Sequence, residues 1–367
     1  MCFKNEVLYN ELCKINDSLD YRVYYQKAAY EYLYLQMNEL ALINIQRAVE
    51  LFENPLYCAH VDVNLSSTIL NDLDSIQDSC PEYITKMYQL AAQLYAQYGK
   101  EKEAKALYCK YYYYINKVKV DASLSGKESV VVYSFRPYNM YSLQDLAKGE
   151  VTLVRPDKMN DPFDSLASYI AGNSERLKRN CNQMDHVKTQ SECFKHFYIR
   201  CFRTNRKTYE TDDSILQDKL MWSHYTEGHQ GFCIKYRIDK SYLNQFDDSN
   251  LSFTRLIPVE YNKEKKEISI YEALNTSNSF AFKDKCWEPE NEVRLLHFSP
   301  NCEENHYSIK FDEKTRLEEI IFGINCNSDA RALIAKSAPA GCKFFEMTND
   351  EEKDIYTLIK KEYKQYQ

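Results

Sequence analysis

The feature that most constrains this chain is a change of period near residue 120. From about residue 4 to 118 apolar residues recur at spacings of three and four, and the runs Tyr21 to Phe52 and Glu82 to Tyr114 contain no proline, so this stretch is predicted to be helical throughout. Around Lys119 to Ser129 the pattern breaks at Asp121, Ser123, Ser125 and Gly126, and beyond it the period becomes extended. Two domains are expected on either side of the break, 1–120 and 128–367, each long enough to bury its own core.

In the helical half, Tyr25, Ala29, Tyr32, Ala41, Ile45 and Ala48 are followed by a second set, Tyr88, Ala92, Tyr95, Gly99, Ala104, Tyr108 and Tyr111. The small members let two antiparallel helices approach, and the large ones fill the space between them. The pattern resembles the tetratricopeptide repeat, whose frame is about 34 residues. It covers two helix pairs, and the stretch Val61 to Asp78 between them is expected to be degenerate or a single helix. The resemblance implies a surface for a polypeptide ligand. The alternative is a helical domain that only packs on its neighbour.

Beyond the break, extended segments are predicted at Val130 to Phe135, Val151 to Val154, Phe197 to Phe202, Gly231 to Tyr236, Leu256 to Tyr261, Glu292 to Phe298, Glu318 to Ile324 and Cys342 to Met347. Helices are expected at Ser142 to Lys148, Ser174 to Lys195, Ser214 to Ser223 and Ser328 to Ser337, and the last fifteen residues read both ways. Because strands and helices do not alternate strictly, the fold class is α+β, an all-α domain followed by a mixed, largely antiparallel sheet.

Composition removes several function classes. The 8 glycines form neither Gly-x-Gly-x-x-Gly nor Gly-x4-Gly-Lys, so the two commonest phosphate loops are missing. A net charge of −7 argues against a general grip on nucleic acid. No apolar run is long enough to span a bilayer. The 13 cysteines are scattered without Cys-x-x-Cys, and the first residues carry no apolar signal core, so a reducing cytoplasm with free thiols is expected. Cys181, His186, Cys193 and His196 match no common zinc spacing, and no metal is predicted.

Four clusters could carry chemistry. In Tyr133-Ser134-Phe135-Arg136-Pro137 a strand ends in a guanidinium able to clamp a phosphate or carboxylate; the alternative is a surface arginine at a turn. Asn160-Asp161-Pro162-Phe163-Asp164 is a turn signal with Asn160 and Asp161 as candidate ligand contacts. Met221-Trp222-Ser223-His224-Tyr225 precedes Gly228 and Gly231, placing polar aromatics beside adaptable backbone, as a flat ring ligand needs. There His224 is a candidate acid, base or ribose contact, with Trp222, Ser223 and Tyr225 lining the ligand; a capping histidine is the plain alternative. Finally, Lys285, Trp287, Glu290, Glu292 and Arg294 lead into a strand. If that strand begins by Glu290, both glutamates and Arg294 share one face, and paired carboxylates in a cleft can hold a hydroxyl or stabilise a developing cation.

Taken in order, Tyr-x-Phe-Arg, Asn-Asp-Pro-Phe-Asp, Met-Trp-Ser-His-Tyr, Lys-x-Trp-x-x-Glu-x-Glu-x-Arg and Leu317-Glu318-Glu319-Ile320-Ile321-Phe322-Gly323 resemble the bacterial family called domain of unknown function 2971, from about Val130 to Met347. A basic residue ending a first strand, a central aromatic motif and a late Glu-x-Glu strand are in turn similar to the three-part site of ADP-ribosyltransferases. That resemblance implies NAD as substrate, with Arg136 on its phosphates or ribose, Tyr225 near the nicotinamide and His224 on a ribose hydroxyl. It makes Glu292 the residue that stabilises the oxocarbenium-like transition state and Glu290 the one that orients the acceptor. The usual Ser-Thr-Ser strand is missing, and the Asn160 to Asp164 turn has no part in that scheme. The pairing of domains suggests an effector in bacterial stress or phage defence. The alternatives are a non-enzymatic interaction or sensor protein, and a metal-dependent nuclease built on Asp161, Asp164, Glu290 and Glu292.

Overall fold

A computed structural model describes residues 2–15, 17–57, 80–118, 124, 126–159, 161, 164, 165, 167, 169, 170, 185–262, 277–350, 352 and 354–364. The Val61 to Asp78 stretch, Asn160, Cys181 and the first part of the predicted Ser174 to Lys195 helix lie outside them. Contacts divide the chain into two compact units, Met1–Val120 with Asn173–Phe194, and Asp121–Gly172 with Lys195–Gln367.

The first unit is helical, with helices Cys2–Cys13, Tyr21–Tyr30, Asn38–Glu53, Cys80–Gln97 and Glu101–Val118. Asp20 starts the second of these by accepting from the Arg22 backbone N–H, and its carboxylate also holds the buried Arg22 guanidinium at 2.6 Å. The last two form a hairpin turned at Gly99, whose φ of +72° is the left-handed conformation that favours glycine. Ala41, Ala92 and Ala104 are fully buried, as the packing argument requires. Ala29 is not: Ala28 takes the interior position instead. The π-helical turn Glu31–Leu35, which follows directly, brings Glu31 inside, where Tyr9 and Asn44 donate to its carboxylate.

The helix Asp185–Cys193 belongs to this unit too, which corrects the expectation of an uninterrupted second domain from 128 to 367. Tyr112 meets Phe194 edge to face at 5.6 Å, and Lys188 reaches Glu101 at 3.0 Å, so apolar and polar contacts both seat the returning helix.

The second unit is built on one large sheet. Its strands are β1 (Ser129–Arg136), β2 (Glu150–Val154), β3 (Phe197–Arg203), β4 (Phe232–Asp239), β5 (Asn244–Asp247), β6 (Ser252–Pro258), β9 (Glu292–Phe298), β10 (His306–Lys310), β11 (Thr315–Phe322), β12 (Lys343–Asp350) and β13 (Asp354–Glu362); β7 (Glu260–Asn262) and β8 (Phe282–Asp284) pair separately. The order is β13-β12-β11-β4-β1-β3-β9-β6-β5, with β2 joining β3 to β10. All pairs in this sheet are antiparallel except β11 with β12. The fold is therefore α+β with a mixed, largely antiparallel sheet.

Alternation along β1 sends Val130 and Val132 to one core and Val131, Tyr133 and Phe135 to the other, so both faces of the sheet are covered. One local departure positions the site. β1 pairs with β4 along its whole length and β3 pairs with β9 along its whole length, yet β1 and β3 pair only at Tyr133 and Arg203. Past that point the two central strands part, and Ser134 to Arg136 lie across an opening from Arg200 to Phe202.

Candidate functional site

The opening is a cavity of about 330 Å³, within the range of small-ligand sites. Tyr133, Ser134, Arg136, Arg200, Arg203, Tyr225, Lys283, Glu290, Glu292 and Asp164 all line it. Its two ends differ in charge.

At one end three carboxylates converge on two cations. The Lys283 Nζ lies 2.6 Å from Glu290, 2.9 Å from Glu292 and 3.1 Å from Asp164. Arg294, fully buried beneath, holds Glu292 at 2.6 Å and Asp164 at 2.7 Å, and donates to the Phe280 carbonyl at 2.9 Å. Burial alone would raise the Glu292 carboxyl, but Arg294 and Lys283 overcome it and hold the group at about 2, so it stays ionised. Burial likewise opposes the charge on Lys283, and Glu292, Asp164 and Glu290 keep that ammonium protonated well beyond its ordinary range. Three acids against two bases leave one negative charge in excess. The Tyr225 hydroxyl donates to the other Glu290 oxygen, and burial followed by that carboxylate pushes the phenol up.

The two glutamates do not share a strand face. Asn291 takes a left-handed turn with φ of +45° between Glu290, which ends the 3-10 segment Lys285–Glu290, and Glu292, which begins β9. They meet because both bind Lys283, a residue the sequence reading did not select. Arg294 is a support of the cluster and not a ligand contact, since no part of it is exposed.

At the other end Arg136 donates to Ser142 and Asp145 at 3.2 and 3.1 Å, and the Arg200 guanidinium donates to Ser134 at 2.8 Å. Tyr133 is anchored by accepting from the Asp212 backbone N–H.

The helix Lys219–Tyr225 sorts the third motif by its period. Asp218 caps it through the Leu220 and Met221 N–H groups and also pairs with Arg203, tying the helix to β3. Trp222 faces inward, fully buried, donating to the Leu216 carbonyl at 2.7 Å and packed on Phe135 at 5.0 Å. It is a core residue, which corrects its reading as a ligand contact. Ser223 and His224 are exposed and do not line the cavity; Tyr225 does. Lys285 is exposed, and Trp287 sits under the Lys283 ammonium, 5.1 Å from its ring centroid. Asp161 is half-buried, and its carbonyl accepts from the N–H of Asp164, whose carboxylate meets Lys283. Glu318 and Glu319 pair with Arg237, Lys235 and Lys360 on the sheet and serve it structurally.

Gly231 explains the glycine of this motif. A Cβ there would stand 2.1 Å from the Arg136 carbonyl oxygen and 3.0 Å from Pro137, so the end of β1 can approach only a bare backbone. Gly231→Ala is expected to lower stability by about 1–3 kcal/mol and to displace Arg136. Urea unfolding of the two proteins checks this, and equal midpoints would contradict the close approach.

Fold and cavity together define an α+β protein whose central strands part around a charged, ligand-sized cleft. Residues 221–295, which carry Tyr225, Lys283, Glu290, Glu292 and Arg294, match the family described as protein of unknown function DUF2971. No curated protein and no solved structure matches the chain. Among the described residues no helix is long and apolar enough to cross a membrane.

Proposed function

We propose that the cavity cleaves NAD at the nicotinamide–ribose bond, as an ADP-ribosyltransferase or NAD glycohydrolase. The observation that carries this reading is the negative excess at the Glu290–Glu292 end of a cleft whose other end is cationic. Loss of nicotinamide breaks the C–N bond, sends its electron pair to the ring nitrogen and leaves positive charge on the ribose. A fixed ionised carboxylate in a poorly solvated site stabilises that charge as it develops.

The roles within the pair follow from their partners. Glu292 is shared by Arg294 and Lys283, so it orders the cluster and supplies its field. Glu290 has one oxygen on Lys283 and the other on the neutral Tyr225 hydroxyl, and it is the less buried of the two. We assign Glu290 to the ribose or to the attacking hydroxyl, whose proton it takes as the new C–O bond forms. Tyr225, freed from Glu290 when substrate enters, offers its ring to the nicotinamide. Arg136 faces the phosphates.

The nuclease reading has less support, because the Lys283 ammonium already occupies the space among Asp164, Glu290 and Glu292. For the helical unit we propose a polypeptide ligand, supported by the exposed apolar side chains Leu33, Met37 and Ile43.

The test follows nicotinamide release from NAD, with water alone and with candidate protein acceptors. The expected result is turnover by the parent and a loss of about 100-fold or more in Glu290→Gln, with unchanged circular dichroism. A folded parent that releases no nicotinamide under either condition would overturn the proposal.

A further inference from the structure

Arg200 was selected by no motif, and its environment is unlike that of any other cation in the cleft. Lys283 and Arg294 share three carboxylates, Arg203 has Asp218, and Arg136 has Asp145. Among the described residues the hydrogen-bond partner of Arg200 is the neutral Ser134 hydroxyl, while its Nε is shielded from solvent and has none. Burial, and then the neighbouring Arg136 charge, bring it down to about 10, which still leaves it fully protonated near neutral pH. Asp145 is the nearby carboxylate, and it is already engaged by Arg136 and by the Thr152 hydroxyl at 2.7 Å. A half-buried guanidinium with no ion pair of its own, beside a second guanidinium, is stabilised when an anion supplies the missing charge.

The setting says what that would be. Arg200 and Arg136 stand on the facing edges of β3 and β1 where the strands part, and Lys158 also lines the cavity. Two guanidiniums close enough to depress one of them favour a doubly charged anion over a carboxylate, and a planar fork of N–H donors matches phosphate oxygens. We propose that Arg200, with Arg136 and Ser134, is the subsite for the phosphate groups of a nucleoside diphosphate. The nucleotide part rests on the NAD reading; the phosphate part stands on the placement of Arg200 beside Arg136 and Ser134.

The experiment titrates the full-length parent and Arg200→Met with ADP, inorganic pyrophosphate and adenosine, by calorimetry and by thermal shift. ADP is expected to bind the parent in a salt-sensitive manner, more tightly than adenosine, and Arg200→Met to weaken it about tenfold or more. Pyrophosphate binding as tightly as ADP would confirm the phosphate subsite and assign it to the inorganic anion. Because the substitution removes a charge that has no ion pair of its own, the free variant is expected to melt at or above the parent temperature, whereas a structural role would lower it. Equal ADP binding by both proteins, adenosine binding as tight as ADP, or no binding of either phosphate compound would overturn the proposal. Nicotinamide release measured on the same samples separates the two readings: Arg200-dependent ADP binding without release sinks NAD cleavage and supports the anion site.

Discussion

Replacing Arg294 with methionine is expected to lower the stability of the protein by about 3–5 kcal/mol. The guanidinium is fully buried and satisfies Glu292, Asp164 and the Phe280 carbonyl together. Without it three buried carboxylates share the single Lys283 ammonium, Glu292 and Asp164 the most deeply placed. The loss comes less from the broken pairs than from the charges left behind. That account has a second consequence. Glu292→Gln removes one of the abandoned charges, so the double variant Arg294→Met/Glu292→Gln is expected to be more stable than the sum of the single effects, by about 0.5–3 kcal/mol. Equilibrium urea unfolding of the four proteins measures both quantities. Strict additivity would show that Arg294 acts by filling space, and the cluster would then be no electrostatic unit.

The α+β class and most strands were legible because their signal is local. β1, β3, β4 and β9 each carry a short run rich in aromatic or aliphatic residues, and the structure places them where the pattern did, within a few residues. β13 was not legible, since Asp354 to Glu362 reads as helix or strand by period and becomes a strand by pairing with β12. The returning helix Asp185–Cys193 was seen as a helix, but its membership of the helical unit depends on contacts with Tyr112 and Glu101 far along the chain.

The candidate site was half legible for the same reason. Tyr133, Arg136, Tyr225, Glu290 and Glu292 line the cavity as residues of short motifs, and Trp222 and Arg294 belong to those motifs by supporting them from within. Lys283 and Arg200 stand in no motif. One matters because three carboxylates from two separate segments meet on it, the other because two strands fail to pair beside it. The sequence held a faint signal for Lys283, which directly follows the apolar Phe280-Ala281-Phe282 two residues before the Lys285 motif.

His297 makes the second large effect, and it depends on pH. Its ring lies in β9, stacked 3.8 Å from Tyr307 and bonded at 2.9 Å to the Thr254 hydroxyl, with no acid among these partners. Burial pushes it down to about 3, so the folded protein keeps it neutral where the unfolded chain, with a value near 6.5, has taken up a proton. A lowered folded value means that the contribution to stability is intact above about pH 6.5 and declines as the pH falls toward 3. From one such histidine the decline amounts to about 2 kcal/mol by about pH 5 and about 4 kcal/mol by about pH 3. His297→Asn keeps a polar partner for Thr254 but cannot take up this proton. Near neutral pH it is expected to be less stable than the parent, because the stacking on Tyr307 is lost, and the gap is expected to close by about 2 kcal/mol on going to about pH 5. Urea midpoints for the two proteins across that range decide the matter. Parallel profiles would mean that the imidazole titrates alike in both states and that its burial is not what sets its charge.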